Sequence, residues 1–171
     1  MTVRLRPLRE ADLKQLYDWQ RDPDLYDHLV GDRRDVGWDE ARAWMIRHWL
    51  PQGRDRRYAL CSSQTGETVG AVYLLAVEGA PNALAFHIFI GEPAQRGQGL
   101  GRAALGEALR IAFDDLGVLE VRLEVLATNA AARRLYAAAG FRETGRRPME
   151  KRSGAVEAIA MTLSSTAYRA R

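Results

Sequence analysis

The chain has 171 residues, 47% of them hydrophobic and 27% charged, with 25 lysines and arginines against 22 acids for a net charge of +3. That length buries one sizeable core and leaves little room for two, so one domain over residues 1–171 is expected, of the ordinary folded class. No apolar run approaches the roughly 20 residues a bilayer demands, and the basic residues form no arm, finger or recognition helix, so neither membrane nor nucleic acid is an expected partner.

The opening MTVRLRPLREAD has no apolar h-region, which argues against a secretory signal and for the cytoplasm. Cys61 is the only cysteine and lies in the strand-like RYALC, so an internal disulfide and a thiolate metal cluster are both excluded. A buried, inert thiol is expected there.

In chain order, VRLR followed by Pro7 predicts a short strand, and Leu13, Leu16 and Tyr17 predict a helix from about Glu10 to Trp19. A stretch rich in acids and arginines follows from Asp18 to Asp35. Trp38, Ala41, Met45 and Trp49 recur at helical spacing up to Pro51, so a second helix is expected from about Trp38 to Leu50. Those aromatics either pack on a sheet or wall an acceptor pocket.

RRYALC, TVGAVYLL and NALAFHIFI then read as three strands separated by QTGET and VEGAP, connections short enough for an antiparallel meander and too short for parallel crossovers. A helix from about Leu100 to Phe113, the strand VLEVRLEVL and a helix from about Asn129 to Ala139 come next, with Gly117 and Gly140 at the helix ends. FRETGRR and AVEAIAMTL supply two last strands, with EKRSG turning between them. The fold class is α/β: a mixed sheet with helices on both faces.

The strand ending FHIFIG runs into EPAQRGQGLGRAAL, where Gly97, Gly99 and Gly101 crowd one turn before a helix. Glycines there permit close approach and unusual dihedrals, and the free N–H groups of the helix start suit a pyrophosphate. A Walker A loop is excluded because no lysine and hydroxyl follow Gly101. Gly99, Gly101 and Ala104 match the dinucleotide fingerprint G-x-G-x-x-A. That motif, however, follows its strand at once and has an acid at the end of the next strand. Here EPAQR intervenes and Glu120 lies at the next strand's start. A simple tight turn is the remaining alternative.

The run QRGQGLGRAAL resembles the central motif of the GNAT superfamily of acyl-CoA-dependent N-acetyltransferases, R/Q-x-x-G-x-G/A, with Arg96, Gly99 and Gly101 in the defining places. About 30 residues later, TNAAARRLYAAAGF resembles that superfamily's Asn…Tyr…Gly-Phe helix. HIFIGEP is similar to the phrase found in the RimJ/RimL-like branch.

The resemblance implies a mixed, mostly antiparallel sheet of about seven strands, acetyl-CoA as cosubstrate and direct attack by an amine in a ternary complex. It also implies that the backbone of Arg96, Gly97, Gln98, Gly99, Leu100, Gly101 and Arg102 holds the pyrophosphate. The pantetheine arm would lie between Phe89 and Ile90 on one strand and Leu123 to Leu126 on the other. Asn129 would bond that arm, Arg133 would join it on the coenzyme side, and Tyr136 would protonate the departing thiolate. Asn129 and Tyr136 are seven residues apart, close to two turns, and share a helix face. A helix cap for Asn129 and core packing for Tyr136 are the plainer readings.

Many RimJ/RimL-like relatives place a glutamate before the glycine turn, where this chain has Ala85. His87 lies two residues on, should face the same way and titrates near neutrality, so it is the candidate base, with Glu124 a further carboxylate. Acids beside aromatics between Asp18 and Trp38 (Asp22, Asp24, Asp27, Asp32, Asp35, Trp19, Tyr26) suit a cationic amine, or form a solvated face paired with Arg21, Arg33 and Arg34. The acceptor is either a protein N-terminal amine or a small-molecule amine. A non-catalytic acyl-CoA binder is the alternative, and a homodimer through the last two strands or the helix near Trp44 is compatible with the family.

Overall fold

Alternating side chains make strands of VRLRP, RRYALCS and TVGAVYLLAV, since successive residues fall on opposite faces of a pleated chain. These are β1 (Val3–Pro7), β2 (Arg56–Ser62) and β3 (Thr68–Val77), and with β4 (Ala80–Ile90) they form an antiparallel run. Leu5 lies opposite Leu60, Ala59 opposite Ala71 and Tyr73 opposite His87. The computed structural model describes residues 2–30, 35–50, 53–151 and 154–170, without the side chain of Tyr26. Pro51, Arg152, Ser153, Asp32, Arg33, Arg34 and the ring of Tyr26 therefore lie outside the described residues.

The sheet continues through β5 (Glu120–Leu126), which runs parallel to β4, and then through the hairpin of β6 (Arg142–Lys151) and β7 (Gly154–Ser164). The order β1-β2-β3-β4-β5-β7-β6 is mixed and mostly antiparallel, as expected. The sixth strand runs four residues past Arg147 to Lys151, into what reads in sequence as the turn.

Helices cover both faces. Packed on one are α4 (Leu100–Arg110) and α5 (Ala130–Ala138), burying Leu105, Leu109 and Tyr136 against Leu60, Leu74, Phe86 and Leu163. The α4 helix widens into a π turn over Ile111–Asp115, so its last apolar residues, Ile111 and Phe113, still reach the core. On the other face, α1 (Leu13–Trp19, entered through a 3-10 turn at Glu10–Asp12) and α3 (Trp38–His48) bury Leu13, Leu16, Trp19 and Met45. Their seat is small, made of Ala59, Cys61 and Ala71, which lets both helices come close. Two short helices had no signal in the periodicity: α2 (Pro23–Tyr26) and α6 (Ser165–Arg169). Among the described residues no helix is long and apolar enough to cross a membrane.

One irregularity shapes the site. The ladder between β4 and β5 is confined to Ala83–Glu120, Leu84–Val121 and Ala85–Arg122. Beyond Ala85, β4 keeps pairing with β3 as far as Ile90–Gly70, and β5 keeps pairing with β7 as far as Leu126–Ala158. Each strand stays with its outer neighbour, and the two part.

Candidate active site

The parting leaves Phe86–Ile90 and Leu123–Leu126 as two facing, unpaired strand edges. An unpaired edge is a template for an extended guest that can exchange strand-like hydrogen bonds with it. Leu126 and Phe89 are themselves buried, so their side chains hold the edges in place while the backbone stays available.

The glycine turn closes one end of this gap. Gly97 and Gly99 have φ of 74° and 81°, the left-handed region, and Gly99 is the N-cap of α4. Among the described residues, the N–H groups of Gly97, Gln98, Gly99, Leu100 and Gly101 have no hydrogen-bond partner; the first that do are Arg102 and Ala103, both to the Gly99 carbonyl. Five free N–H groups and the positive end of a helix dipole meet in a recess of about 350 Å³ lined by Ile90, Arg96, Gly97, Leu100, Gly101 and Arg102, with Ala132 and Leu135 of α5 across it. Arg102 is exposed and makes no ion pair among the described residues, so a cation is free at the rim. The Gln98 amide instead donates to the Ala94 carbonyl. This recess fits a diphosphate, and the gap behind it fits a thin, amide-bearing arm.

Residues 2–142 match the family model for the acetyltransferase (GNAT) domain. The chain belongs to the GNAT acetyltransferase family. It is an N-acetyltransferase with acetyl-CoA as cosubstrate. Among solved structures it is similar to spermidine N-acetyltransferase from Vibrio cholerae in complex with CoA and spermine, at a TM-score of 0.88 and 22% identity over 98% of both chains. A dodecameric form of the Vibrio cholerae enzyme matches at 0.81 and 22% identity over 98% of this chain and 96% of that one. A chimera of the same enzyme matches at 0.84 and 22% over the full length of both. Identities this low show the shared fold.

In this GNAT domain Tyr136 is buried on α5, its ring 6.2 Å from Phe86 and 5.9 Å from Phe141. Its hydroxyl makes no hydrogen bond among the described residues, and burial pushes its pKa up to about 12, so it stays protonated as a donor. Asn129 caps α5, its Oδ1 accepting from the Ala132 N–H at 3.1 Å, while its Nδ2 reaches the His28 carbonyl at 3.5 Å. Arg133 donates to the Ala127 carbonyl at 3.1 Å and lines a second recess between α5 and β7, away from the glycine turn.

His87 lies on the opposite face of the sheet from Tyr136, two residues beyond the last rung that joins β4 to β5. It is open to solvent, yet the surrounding protein strips enough water to lower its pKa. The Glu124 charge works against that shift and Arg57 with it. Glu124 is held by a bidentate pair with Arg147, both bonds 2.8 Å, which lowers its pKa despite partial burial.

Three acids of the 18–35 stretch are engaged. Asp18 pairs with Lys14, Asp35 with Arg21 at 3.4 Å, and Asp22 with Arg96 at 3.2 Å. Trp19 packs on Gly91, Trp49 on Tyr73, and Trp44 stays partly exposed beside His48. Arg96 itself donates from Nε to the Ile90 carbonyl and from Nη2 to the Gly91 carbonyl, both at 3.0 Å. Its guanidinium thus fastens the end of β4, and its backbone belongs to the glycine turn. The link to Asp22 had no signal in the local pattern.

Proposed function

We propose that the chain transfers the acetyl group of acetyl-CoA directly to the primary amine of a small molecule, as a RimJ/RimL-like member of its family. The observation that carries this reading is the parting of β4 and β5, with the free N–H groups of Gly97 to Gly101 at one end and Tyr136 beside the gap. The turn from Arg96 to Arg102 binds the diphosphate, Phe89, Ile90 and Leu126 flank the pantetheine arm, and Asn129 borders it. His87 takes the proton that the ammonium must lose before attack, because a ring whose pKa burial lowers is neutral at pH 7 and has a lone pair free to accept it. Tyr136 donates to the leaving sulfur. Burial makes the phenol a weaker acid, but it raises the pKa of a neighbouring thiolate as well, so desolvation does not oppose the transfer.

A small amine is favoured over a peptide because the segment after α2 is tied across the cleft. The His28 carbonyl meets Asn129, and the Leu29 carbonyl accepts from Lys151 Nζ. An open groove for a chain would need that crossing released. Polyamines enter as candidates through the fold this chain shares with the Vibrio cholerae enzyme.

The test is release of free thiol from acetyl-CoA against polyamines, aminoglycosides, amino sugars, N-terminal peptides and lysine peptides. Turnover confined to small amines is the expected result. Turnover of N-terminal peptides alone would move the acceptor to protein. Acetyl-CoA binding without turnover of any amine would favour a binding module on the same fold.

A further inference from the structure

Arg57, Tyr73 and His87 form a transverse row on the face covered by α1 and α3, because Arg57 pairs with Tyr73 and Tyr73 with His87 across neighbouring strands. Residues opposite one another in this way have side chains about 5 Å apart at their Cβ atoms. The row continues over the gap. Ala85 is level with Arg122, so two residues further His87 and Glu124 come level with each other after the ladder has ended. On a face otherwise made of Ala59, Ala71 and Phe89, these side chains are a polar line that leads into the cleft.

Tyr73 is the member that its surroundings do not explain. Trp49 at 5.6 Å and Phe89 at 6.3 Å hold its ring. Its hydroxyl is buried, and no protein group among the described residues bonds to it. Phenylalanine would make the same ring contacts without burying an O–H. A buried hydroxyl without a partner is costly, so such groups are normally satisfied, often by an ordered water. On the cleft side the residue opposite Tyr73 in the ladder is His87. On the other side, Arg57 is drawn away by Asp55 at 2.9 Å and by the His48 carbonyl at 3.4 Å.

We propose that Tyr73 is a positioning residue for His87: its hydroxyl holds a water that bonds one imidazole nitrogen, leaving the other nitrogen, with its lone pair, turned to the gap. This rests on His87 being the base. The balance is simple. The acceptor ammonium gives one proton to the free ring nitrogen and becomes the neutral nucleophile. The resulting imidazolium keeps its N–H on the bridging water, and Glu124, itself clamped by Arg147, faces the new charge from β5. Arg57 and its partner Asp55 are the other charged groups near the ring among the described residues, from the β2 side.

The experiment is Tyr73→Phe, read without any acceptor by NMR titration of the His87 ring. That ring is one of three histidines and is assigned by its loss in His87→Gln. The wild-type ring is expected to hold one neutral tautomer; in Tyr73→Phe the tautomers mix and the pKa falls further, because the charged ring loses a partner. Turnover of an accepted amine should fall about tenfold, a fraction of the roughly 10²- to 10⁴-fold a positioned base contributes. Tyr73→Phe should add nothing in a His87→Ala background, and the melting temperature should hold or rise. An unchanged tautomer and pKa in Tyr73→Phe would overturn the proposal, as would losses that simply add in the double variant. Full turnover by His87→Ala would instead remove the base reading, and this inference with it.

Discussion

The carboxylate of Asp22 accepts from the Arg96 guanidinium at 3.2 Å across 74 residues of sequence, and it also caps α2 by accepting from the Asp24 N–H at 3.0 Å. The segment that carries α2 and the glycine turn therefore share one carboxylate. Asp22→Ser separates its two duties, since serine caps a helix about as well as aspartate but is too short to reach Arg96. Both partners are about one-third exposed, 30% and 32%, so the pair contributes at most about 1 kcal/mol. The expected outcome is an acetyl-CoA Kd raised by up to about fivefold with kcat at saturation unchanged. Calorimetric titration showing the same Kd in both proteins would mean that Arg96 needs only the Ile90 and Gly91 carbonyls.

At Gly91 the close approach is on the protein side. A Cβ added there would lie 2.0 Å from Trp19 Cδ2, inside the flat of the indole. Gly91→Ala must push Trp19 off the end of β4, and overpacking of that kind costs about 1–3 kcal/mol. Urea unfolding should show the loss, and Trp19→Leu should recover part of it by making room. Equal midpoints for Gly91→Ala and the wild type would contradict the packing of α1 described above.

Much of this architecture was legible in the sequence because its signals are local. QRGQGLGRAAL carries its own turn dihedrals and helix start, and TNAAARRLYAAAG carries its cap in Asn129 and its buried face in Tyr136. The antiparallel run of β2, β3 and β4 followed from loops too short for crossovers. What stayed hidden depends on register between distant strands or on charges meeting across the cleft. Tyr73 reads as an ordinary strand aromatic until β3 sets it opposite His87. The acids from Asp18 to Asp35 suit a cationic substrate until Lys14, Arg21 and Arg96 are seen to meet three of them. The helix α2 is four residues long, less than the periodicity needed to register as helical.

Tyr136→Phe tests the donor. The hydroxyl makes no hydrogen bond among the described residues, and the contacts with Phe86 and Phe141 belong to the ring, so stability should change by less than about 0.5 kcal/mol. Turnover should fall about 10²-fold with KM for acetyl-CoA within twofold, because a phenol that donates to the leaving sulfur binds little of the ground state. The proposed donor is the protonated phenol, whose pKa burial pushes up to about 12, so Tyr136 should cause no loss of wild-type activity between pH 7 and 10. A rise in KM with kcat preserved would make Tyr136 a binding residue.

The seat of α1 has its own acid sensitivity. Asp12, 7% exposed, accepts from Arg6 at 2.7 and 2.9 Å and from the Arg9 N–H at 2.7 Å, which ties the first turn before α1 to β1. Burial alone would raise its pKa, but the Arg6 pair and the Arg9 N–H outweigh that and hold it below the ordinary carboxylate value. A carboxylate depressed in the folded state contributes stability that is present above its unfolded pKa of about 3.9 and is lost as pH falls through the lower folded value. The wild type should therefore lose unfolding free energy below about pH 4, with a share of the slope absent from Asp12→Ala. At pH 7 Asp12→Ala leaves the half-buried Arg6 guanidinium without its carboxylate, with the Pro7 carbonyl at 3.1 Å and the Thr68 hydroxyl at 3.4 Å as remaining partners, a loss of about 1–3 kcal/mol. Because α1 carries Trp19 onto Gly91, the same variant should loosen the end of β4 and weaken acetyl-CoA binding as well as the fold. Parallel acid profiles for the two proteins would show that Arg6 finds another partner and that α1 is held by its apolar face alone.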